Sequence, residues 1–291
     1  MIVGVDIGYG YTKNSSNVKF ASKYTTNKSL MKDNSIRLSY NNEEYTIGEG
    51  ELTVAMNKIG NLSTKLLLLT SLGILDTKCF NVVVGLPVAQ FHKYKDELKE
   101  ELLKEKVIQF ELYGIKKQII IDDVLVFPQC LGAYYTLDNI DLTKEYLLVD
   151  IGTRTVDVIS LYNNKIIKYS TILEGTISMY SDLIHAINTN YDTNFQVEDA
   201  ERILKNGLFI NNEKQDLQFA NDIIEAHAQN IYKELELNYN PSSKMLLLTG
   251  GGAFIYRDVI NHYYSHARMI KDAQFANSIG FRKVGESIWL R

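Results

Sequence analysis

The four residues Val-Asp-Ile-Gly occur twice in this chain, at Val5–Gly8 and again at Val149–Gly152, half a chain apart. Each copy ends an apolar run typical of a buried strand. Each is followed by a turn rich in Gly or Thr, at Tyr9–Thr12 and Thr153–Thr155, that leads into a second apolar run. The repeat therefore predicts two similar halves that face one another.

Short runs rich in β-branched residues alternate along the chain with longer stretches of helical spacing. We expect strands at Ile2–Ile7, Val18–Phe20, Asn81–Leu86, Val107–Leu112, Gln118–Ile121, Tyr146–Ile151, Val156–Tyr162, Lys165–Thr171 and Met245–Thr249. We expect helices at Thr53–Leu75, Gln90–Lys106, Gln129–Leu137, Ser178–Thr189, Val197–Asn206, Leu217–Leu237 and Ile255–His266. Gly114 and Asn163–Asn164 are typical of hairpin turns. The interleaving predicts an α/β protein with mixed sheets.

Composition excludes several classes of protein. The 291 residues carry 31 basic and 35 acidic side chains, a net charge of −4, so nothing draws the surface toward nucleic acid. Cys79 and Cys130 stand far apart, which argues against a disulfide framework or a zinc site and fits a reducing cytoplasm. The longest apolar run, Leu66–Leu75, is about half the length that spans a bilayer. The charged Asp6 follows the start too soon for a signal peptide. We therefore expect a cytoplasmic protein that binds neither membrane nor nucleic acid directly.

An Asp-x-Gly turn at a strand end is suited to holding a phosphate. The strand end fixes the carboxylate, glycine tolerates a crowded backbone, and the following amides form an anion-binding nest. Further donors around the two turns are Thr12, Lys13, Thr153, Arg154 and Thr155. Asp6 and Asp150 would repel each other unless a cation lay between them, and hydrated Mg²⁺ suits one or two carboxylates plus phosphate oxygens. The alternative is a pair of ordinary hairpins with Asx-type turns.

A third glycine-rich turn, Gly250–Gly252, lies between the run Met245–Thr249 and a predicted helix from Ile255. Three glycines let the backbone approach a planar or phosphorylated ligand closely, and a helix N-terminus favours anions. A tight turn with no ligand is the alternative. Neither the Walker A pattern nor G-x-G-x-x-G occurs, which disfavours P-loop and Rossmann chemistry.

Gln129 follows a strand and Pro128 and opens a predicted helix. An amide in that place can orient a water for in-line attack on a phosphoryl group. It can equally serve only as a helix cap.

Together, these segments resemble the actin-like ATPases, in particular the bacterial plasmid-segregation actins of the ParM (StbA) type. In this chain, Val5–Lys13 resembles the family's first phosphate loop and Leu148–Asp157 resembles its second. Leu247–Gly252 resembles its adenosine motif. Further similarity lies in a strand-turn signature at Tyr45–Glu49 and in a connecting segment at Asp272–Asn277 with Gly280 and Phe281. The segments occur in the family's order over nearly the whole chain.

The resemblance implies ATP, or GTP, bound with Mg²⁺ in a cleft between two lobes. By matching positions, Asp6 and Asp150 would hold the Mg²⁺, and Gln129 with Asp150 would position the hydrolytic water. The remaining nucleotide-binding residues it implies are Gly8, Tyr9, Gly10, Tyr11, Thr12, Lys13, Gly152, Thr153, Arg154, Thr155, Asp157, Gly175, Thr176, Arg202, Lys205, Gly250, Gly251, Gly252 and Ala253. Many segregation actins carry Glu where this chain has Gln129, whereas actin has Gln. Asp157 is the acid that segregation actins carry where actin has a histidine.

The resemblance also implies two similar lobes of the ribonuclease H-like type. Lobe I would span 1–145 with its outer part at about 20–75. Lobe II would span 146–291 with a reduced outer part at about 190–217. The C-terminal segment, about 270–291, would pack back on lobe I.

The function implied is a nucleotide-dependent filament that segregates plasmid DNA, with ATP driving polymerisation and hydrolysis driving disassembly. The partners would be further copies of the chain and a DNA-binding adaptor on the plasmid centromere, since this acidic chain lacks a basic tract of its own. Two alternatives share the fold. A small-molecule kinase would need a catalytic base and a substrate pocket, for which no motif is present. A nonpolymerising, chaperone-like ATPase would need a substrate-binding domain after the connecting segment.

Overall fold

A computed structural model of the chain describes residues 1–26, 35–52 and 58–290. Its contacts divide it into two compact units. Unit 1 consists of Met1–Asp141 and Ile270–Arg291, and unit 2 is the continuous segment Leu142–Met269. Each unit has its own cluster of buried apolar side chains.

Each unit contains a sheet of several strands. In chain order they are β1 (Ile2–Ile7), β2 (Tyr11–Asn14), β3 (Lys19–Ala21), β4 (Lys23–Thr25), β5 (Ile36–Tyr40), β6 (Glu43–Leu52), β7 (Cys79–Leu86), β8 (Val107–Leu112), β9 (Ile115–Pro128), β10 (Glu145–Ile151), β11 (Val156–Tyr162), β12 (Lys165–Ile172), β13 (Leu208–Ile210), β14 (Glu213–Gln215), β15 (Met245–Thr249) and β16 (Arg268–Met269).

The helices occupy the connections between strands. They are α1 (Leu62–Gly73), α2 (Val88–Leu103), α3 (Leu131–Tyr134), α4 (Thr176–Tyr191), α5 (Ala200–Asn206), α6 (Gln218–Tyr239), α7 (Ala253–Tyr263) and α8 (Ala276–Trp289), with 3₁₀ turns at Val197–Asp199 and Pro241–Ser243. None of the helices in the described parts of the chain combines the length and apolarity needed to cross a membrane.

The two units share one sheet topology. In unit 1, five neighbouring strands of a nine-stranded sheet run in the order β3-β2-β1-β7-β9. In unit 2, the sheet runs β12-β11-β10-β15-β16. In both, an antiparallel meander of three strands is followed by two strands that pair in parallel. The predicted α/β class and the predicted pair of similar halves are confirmed.

Unit 1 extends its sheet with β8, β5, β6 and β4, whereas unit 2 carries a small separate hairpin of β13 and β14. Residues 190–217 of unit 2 hold the end of α4, one 3₁₀ turn, α5 and that hairpin. The first residues of the predicted helix Thr53–Leu75, 53–57, lie outside the described residues, and α1 covers its second half.

Left-handed turns of two residues close four of the hairpins, β5–β6, β8–β9, β11–β12 and β13–β14. The turns predicted at Gly114 and at Asn163–Asn164 are confirmed, with φ of 75° at Gly114 and of 48° and 60° at the asparagines. Two further turns of the same kind, at Asn41–Asn42 and Asn211–Asn212, were not predicted. Hairpins of this type need positive φ at both central residues, and asparagine tolerates it better than most residues.

The predicted helix Gln129–Leu137 is wrong in extent. Cys130 takes φ of 66°, so the helix begins only at Leu131 and lasts one turn. Helix α8, which was not predicted, packs against β1 and α3 through glycines. A Cβ added to Gly280 would lie 1.8 Å from the Gly132 carbonyl oxygen, so no larger residue fits there without movement.

Candidate functional site

The first Asp-x-Gly turn joins β1 to β2 in unit 1. Asp6 pairs with Lys13 and Ile7 with Thr12 across the hairpin. The turn closes through the Gly8 amide, which donates to the Tyr11 carbonyl oxygen at 3.1 Å. The short strands on either side fix the direction of the Asp6 carboxylate.

Three predicted site residues meet at the end of β1. The Asp6 carboxylate is buried, with 6% of the residue exposed. Its Oδ1 accepts a hydrogen bond from Gln129 Nε2 at 2.9 Å, and its Oδ2 lies 3.9 Å from Lys13 Nζ. The sheet brings Gln129 there, because the backbone amide of Gln129 donates to the carbonyl oxygen of Leu86 at 2.7 Å.

Other predicted residues of the first turn direct their side chains elsewhere. The Thr12 side chain is fully buried, and its hydroxyl forms a 2.9 Å hydrogen bond with that of Ser22. The Thr12 hydroxyl therefore lies in the interior and not at the turn, where we had expected it. The ammonium of Lys19 lies over the ring of Tyr11, 4.0 Å from its centroid. Tyr9 packs against the core of unit 1. Between them, Gly10 accepts at its carbonyl oxygen from the Ser22 amide at 2.9 Å.

The second Asp-x-Gly turn repeats this geometry in unit 2. Asp150 pairs with Asp157, and Ile151 with Val156. The Gly152 amide donates to the Thr155 carbonyl oxygen at 2.9 Å, the counterpart of the bond in the first turn. Asp157 accepts a 2.6 Å hydrogen bond from the Thr171 hydroxyl on β12.

Two further segments close around the second turn. Gly250 has φ of 83°, and a Cβ added to it would lie 2.4 Å from Asp150 Oδ1, so glycine is required there. The Gly252 amide donates to the Ile151 carbonyl oxygen at 2.9 Å, and Gly251 lies between these two glycines. Buried Ala253 then begins α7.

The start of α4 completes this cluster. A Cβ on Gly175 would lie 2.3 Å from the Thr153 carbonyl oxygen. The amides of Thr176 and Ile177 donate to the carbonyl oxygens of Gly152 and Thr153 at 3.1 Å and 2.8 Å. First-turn amides have no partner within their own helix. Here they fix the backbone of the second turn, whose Arg154 side chain is exposed.

The structure places Arg202 and Lys205 on a separate helix, α5. Arg202 donates to the Asp199 carboxylate at 2.8 Å and keeps 56% of its side chain exposed. Lys205 is exposed in the last turn of the helix. Among the predicted residues of unit 2, these two lie outside the segments that surround the second turn.

Within the described residues, no three His, Cys, Asp or Glu side chains are grouped as ligands for a metal ion. In unit 1, Asp6 lies near the end of β1 with Lys13 Nζ 3.9 Å from its Oδ2, and in unit 2 Asp150 lies near the end of β10. A carboxylate in either place is a ligand that suits Mg²⁺, since this ion keeps several waters and binds through one or two carboxylates plus phosphate oxygens.

Sequence reasoning missed two buried ionisable residues. Lys58 is 5% exposed and donates to the Gly85 carbonyl oxygen at 2.9 Å, next to Gln129, whose Cγ would lie 2.7 Å from a Cβ on Gly85. His227, on α6, is 9% exposed. Neither lies in a recognisable pattern, because long-range packing alone buries them.

The sequence matches two family models. The model of the N-terminal domain of actin-like proteins matches residues 4–132, and that of the C-terminal domain of the archaeal MreB-like actin homologue matches residues 148–262. A search of curated proteins found no match.

Solved structures of actin-like proteins match along the whole chain. A non-polymerisable quadruple mutant of pCBH ParM has 21% identity and a TM-score of 0.80, with 99% of each chain covered. The archaeal actin homologue Ta0583 in complex with ADP has 20% identity and a TM-score of 0.85, again with 99% of each chain covered. The AlfA filament from B. subtilis plasmid pLS32 has 18% identity and a TM-score of 0.65, covering 96% of this chain and 97% of that one.

The predicted resemblance is confirmed, because the two models together span most of the sequence and the solved structures match over nearly the whole chain. The chain belongs to the actin-like superfamily and has the actin-like ATPase fold of ParM and the archaeal actin homologues.

Proposed function

We propose that this chain binds and hydrolyses Mg-ATP through both Asp-x-Gly turns and that ATP binding drives its assembly into filaments. The observation that carries the proposal is the repeated hairpin. Asp6 and Asp150 end equivalent strands, and each is followed by a turn closed by the same glycine amide bond. Backbone amides in such turns bind phosphate.

The chain's own residues would divide the chemistry as follows. Asp6 and Asp150 would hold a hydrated Mg²⁺, which when bound neutralises charge on the phosphates. Lys13 would add a cation at the first turn. Since Gln129 Nε2 donates to Asp6, its amide oxygen is the atom that can accept a hydrogen bond from a water and orient it. Gly250–Gly252 and Gly175–Thr176 would let the nucleotide approach the backbone of unit 2 closely.

Two neighbours support nucleotide binding and self-association. Ta0583 was solved with ADP, and AlfA was solved as a filament. The filament would segregate plasmid DNA through a DNA-binding adaptor. The net charge of −4 favours an adaptor over direct contact with DNA.

The test combines sedimentation, light scattering and phosphate release with Mg-ATP, Mg-GTP and Mg-ADP. Wild type should pellet with the triphosphate and release phosphate. Asp150→Ala should lower the hydrolysis rate by about a hundredfold or more, because an electrostatic group at the phosphates is lost. Asp222→Ala, which removes an exposed carboxylate on α6, is the matched control and should behave as wild type.

The outcomes separate the parts of the proposal. Hydrolysis without pelleting at any concentration refutes the filament and keeps the ATPase. Wild-type turnover in a folded Asp150→Ala variant refutes the assignment of that carboxylate. Phosphate transfer to an added small alcohol in place of water would favour the kinase alternative.

A further inference from the structure

A buried histidine joins two carboxylates beside the second turn. His227, on α6, contacts Glu174 Oε1 through Nδ1 and Asp182 Oδ2 through Nε2, the latter at 2.9 Å. Asn230, on the same helix, donates to the other oxygen of Glu174 at 3.3 Å. Glu174 immediately precedes Gly175, and Asp182 lies within α4. One imidazole therefore connects α6 both to α4 and to the residue just before the N-cap of α4.

Each ring nitrogen of His227 faces one carboxylate oxygen. Hydrogen bonds to an ionised carboxylate are stronger than those between neutral groups. The side chains of His227 and Glu174 are 11% and 17% exposed, while that of Asp182 is 65% exposed. The contact with Glu174 is thus the buried end of the cluster, and Asp182 is its solvent-facing end.

Two carboxylates contact His227, and a buried tyrosine lies near one of them. Glu174 and Asp182 supply the carboxylates, and α7 adds the fully buried hydroxyl of Tyr256, which has no hydrogen-bond partner among the described residues. Burial, together with the nearby Glu174 carboxylate, raises the pKa of Tyr256 far above its usual value. The tyrosine stays neutral, so it gives Glu174 no charge compensation.

The cluster reaches the second turn through one residue. Glu174 is covalently joined to Gly175, whose backbone lies directly against Thr153 and Arg154. The next two amides, of Thr176 and Ile177, hold the carbonyl oxygens of the turn. A shift of Glu174 would therefore move the residues that fix the turn.

We propose that His227 is a positioning residue. Through its two carboxylate partners it holds the start of α4 against the second turn, and its removal loosens that turn and weakens nucleotide binding. The part concerning nucleotide rests on the proposed function, whereas the part concerning the turn does not.

The first experiment needs no nucleotide. Hydrogen–deuterium exchange is measured at pH 6 on peptides covering residues 174–180 in wild type, His227→Gln and His262→Gln. His262 is an exposed histidine on α7 in the same unit and is the matched control. Protection of the Thr176 and Ile177 amides should fall by about tenfold in His227→Gln, in line with the loss of a charge-assisted hydrogen bond, and stay at the wild-type level in His262→Gln.

The second experiment measures the dissociation constant for a fluorescent ATP analogue with Mg²⁺ at a single pH. His262→Gln should bind as tightly as wild type, and His227→Gln should bind about tenfold more weakly. Glu174→Gln should weaken binding in the same direction.

Unchanged exchange and a wild-type dissociation constant in a folded His227→Gln variant would overturn the proposal. Faster exchange in a protein that binds no nucleotide would retain the positioning role of His227 and refute the proposed function instead. A variant that fails to fold is replaced by Asp182→Asn, which removes one charge at the exposed end of the cluster and should give a smaller change in the same direction. A wild-type result there would equally refute the proposal.

Discussion

At the scale of single residues, the second turn depends on a glycine that does two things at once. Gly250 takes a left-handed φ of 83° and leaves room for Asp150 Oδ1 and the Ile151 carbonyl oxygen, each 2.4 Å from where a Cβ would stand. The conformation alone carries a modest energetic cost for other residues. The crowding adds to it, because backbone atoms cannot move aside as a flexible side chain can.

Gly114 allows these two effects to be separated. It has φ of 75° at the β8–β9 turn, with nothing within 4 Å of an added Cβ. Gly114→Ala should lower the free energy of unfolding by about 1 kcal/mol from backbone strain alone. Gly250→Ala should lower it by about 3 kcal/mol, since overpacking is added, and should weaken Mg-ATP binding because Asp150 is displaced. Urea denaturation and nucleotide titration measure both. Equal losses in the two variants would show that Asp150 is not crowded.

The contact between Asp6 and Gln129 shows what sequence reasoning reaches at this scale. These residues are 123 positions apart. The Asp-x-Gly pattern indicates the carboxylate, and the strand before Gln129 indicates its exposure at a sheet edge, but nothing local indicates that they meet. His227 and Glu174, 53 positions apart, form a contact of the same kind with no pattern at all. Side-chain pairs of this sort are decided by tertiary packing.

At the scale of elements, prediction succeeded where the signal is short-ranged. Strand β11 has the predicted bounds, Val156–Tyr162, because its apolar run is uninterrupted and Asn163–Asn164 closes it. Strand β9 runs from Ile115 to Pro128, longer than the predicted Gln118–Ile121, because Asp122–Asp123 breaks the apolar pattern. Helix α8 was missed because it carries two poor helix formers, Gly280 and Gly285. The first is required by the close approach of α3.

The start of α5 carries a testable pH dependence. The Arg202 guanidinium, and then the Gln196 amide, hold the pKa of Asp199 below its usual value. A carboxyl group with a lowered pKa stabilises the fold above its unfolded pKa of about 4, and this contribution is lost as pH falls through the folded value. Arg202→Gln should raise the Asp199 pKa in an NMR titration and make stability less sensitive to acid.

At pH 7 the same change should cost about 0.5 kcal/mol or less, because the pair is largely exposed. Arg257→Gln, which breaks the exposed pair with Asp258, is the control and should leave Asp199 unaltered. An Asp199 titration that does not move in Arg202→Gln would contradict the assignment. A nucleotide titration of the same variant tests whether Arg202 belongs to the binding site, as the resemblance implies.

At the scale of the whole molecule, the two spatial units are not simply the first and second halves of the chain. Unit 1 is built from both ends of the chain, and its C-terminal part returns through α8. Phe281 on that helix is fully buried, with its ring 6.1 Å from that of Phe127. The single tryptophan, Trp289, lies on the same helix, and its Nε1 donates to Asp123 at 3.2 Å. Tryptophan fluorescence therefore reports on unit 1, whereas far-UV circular dichroism reports on both units.

Separate cores predict separate responses to core mutations. Phe281→Ala should destabilise unit 1 by about 3 to 5 kcal/mol and move the fluorescence-detected urea transition to lower concentration. Leu183→Ala removes a fully buried side chain from the core of unit 2 and should cost about 2 to 5 kcal/mol there. It should move the transition seen by circular dichroism more than the one seen by fluorescence. Equal shifts of both signals in both variants would show that the two cores unfold as one cooperative unit.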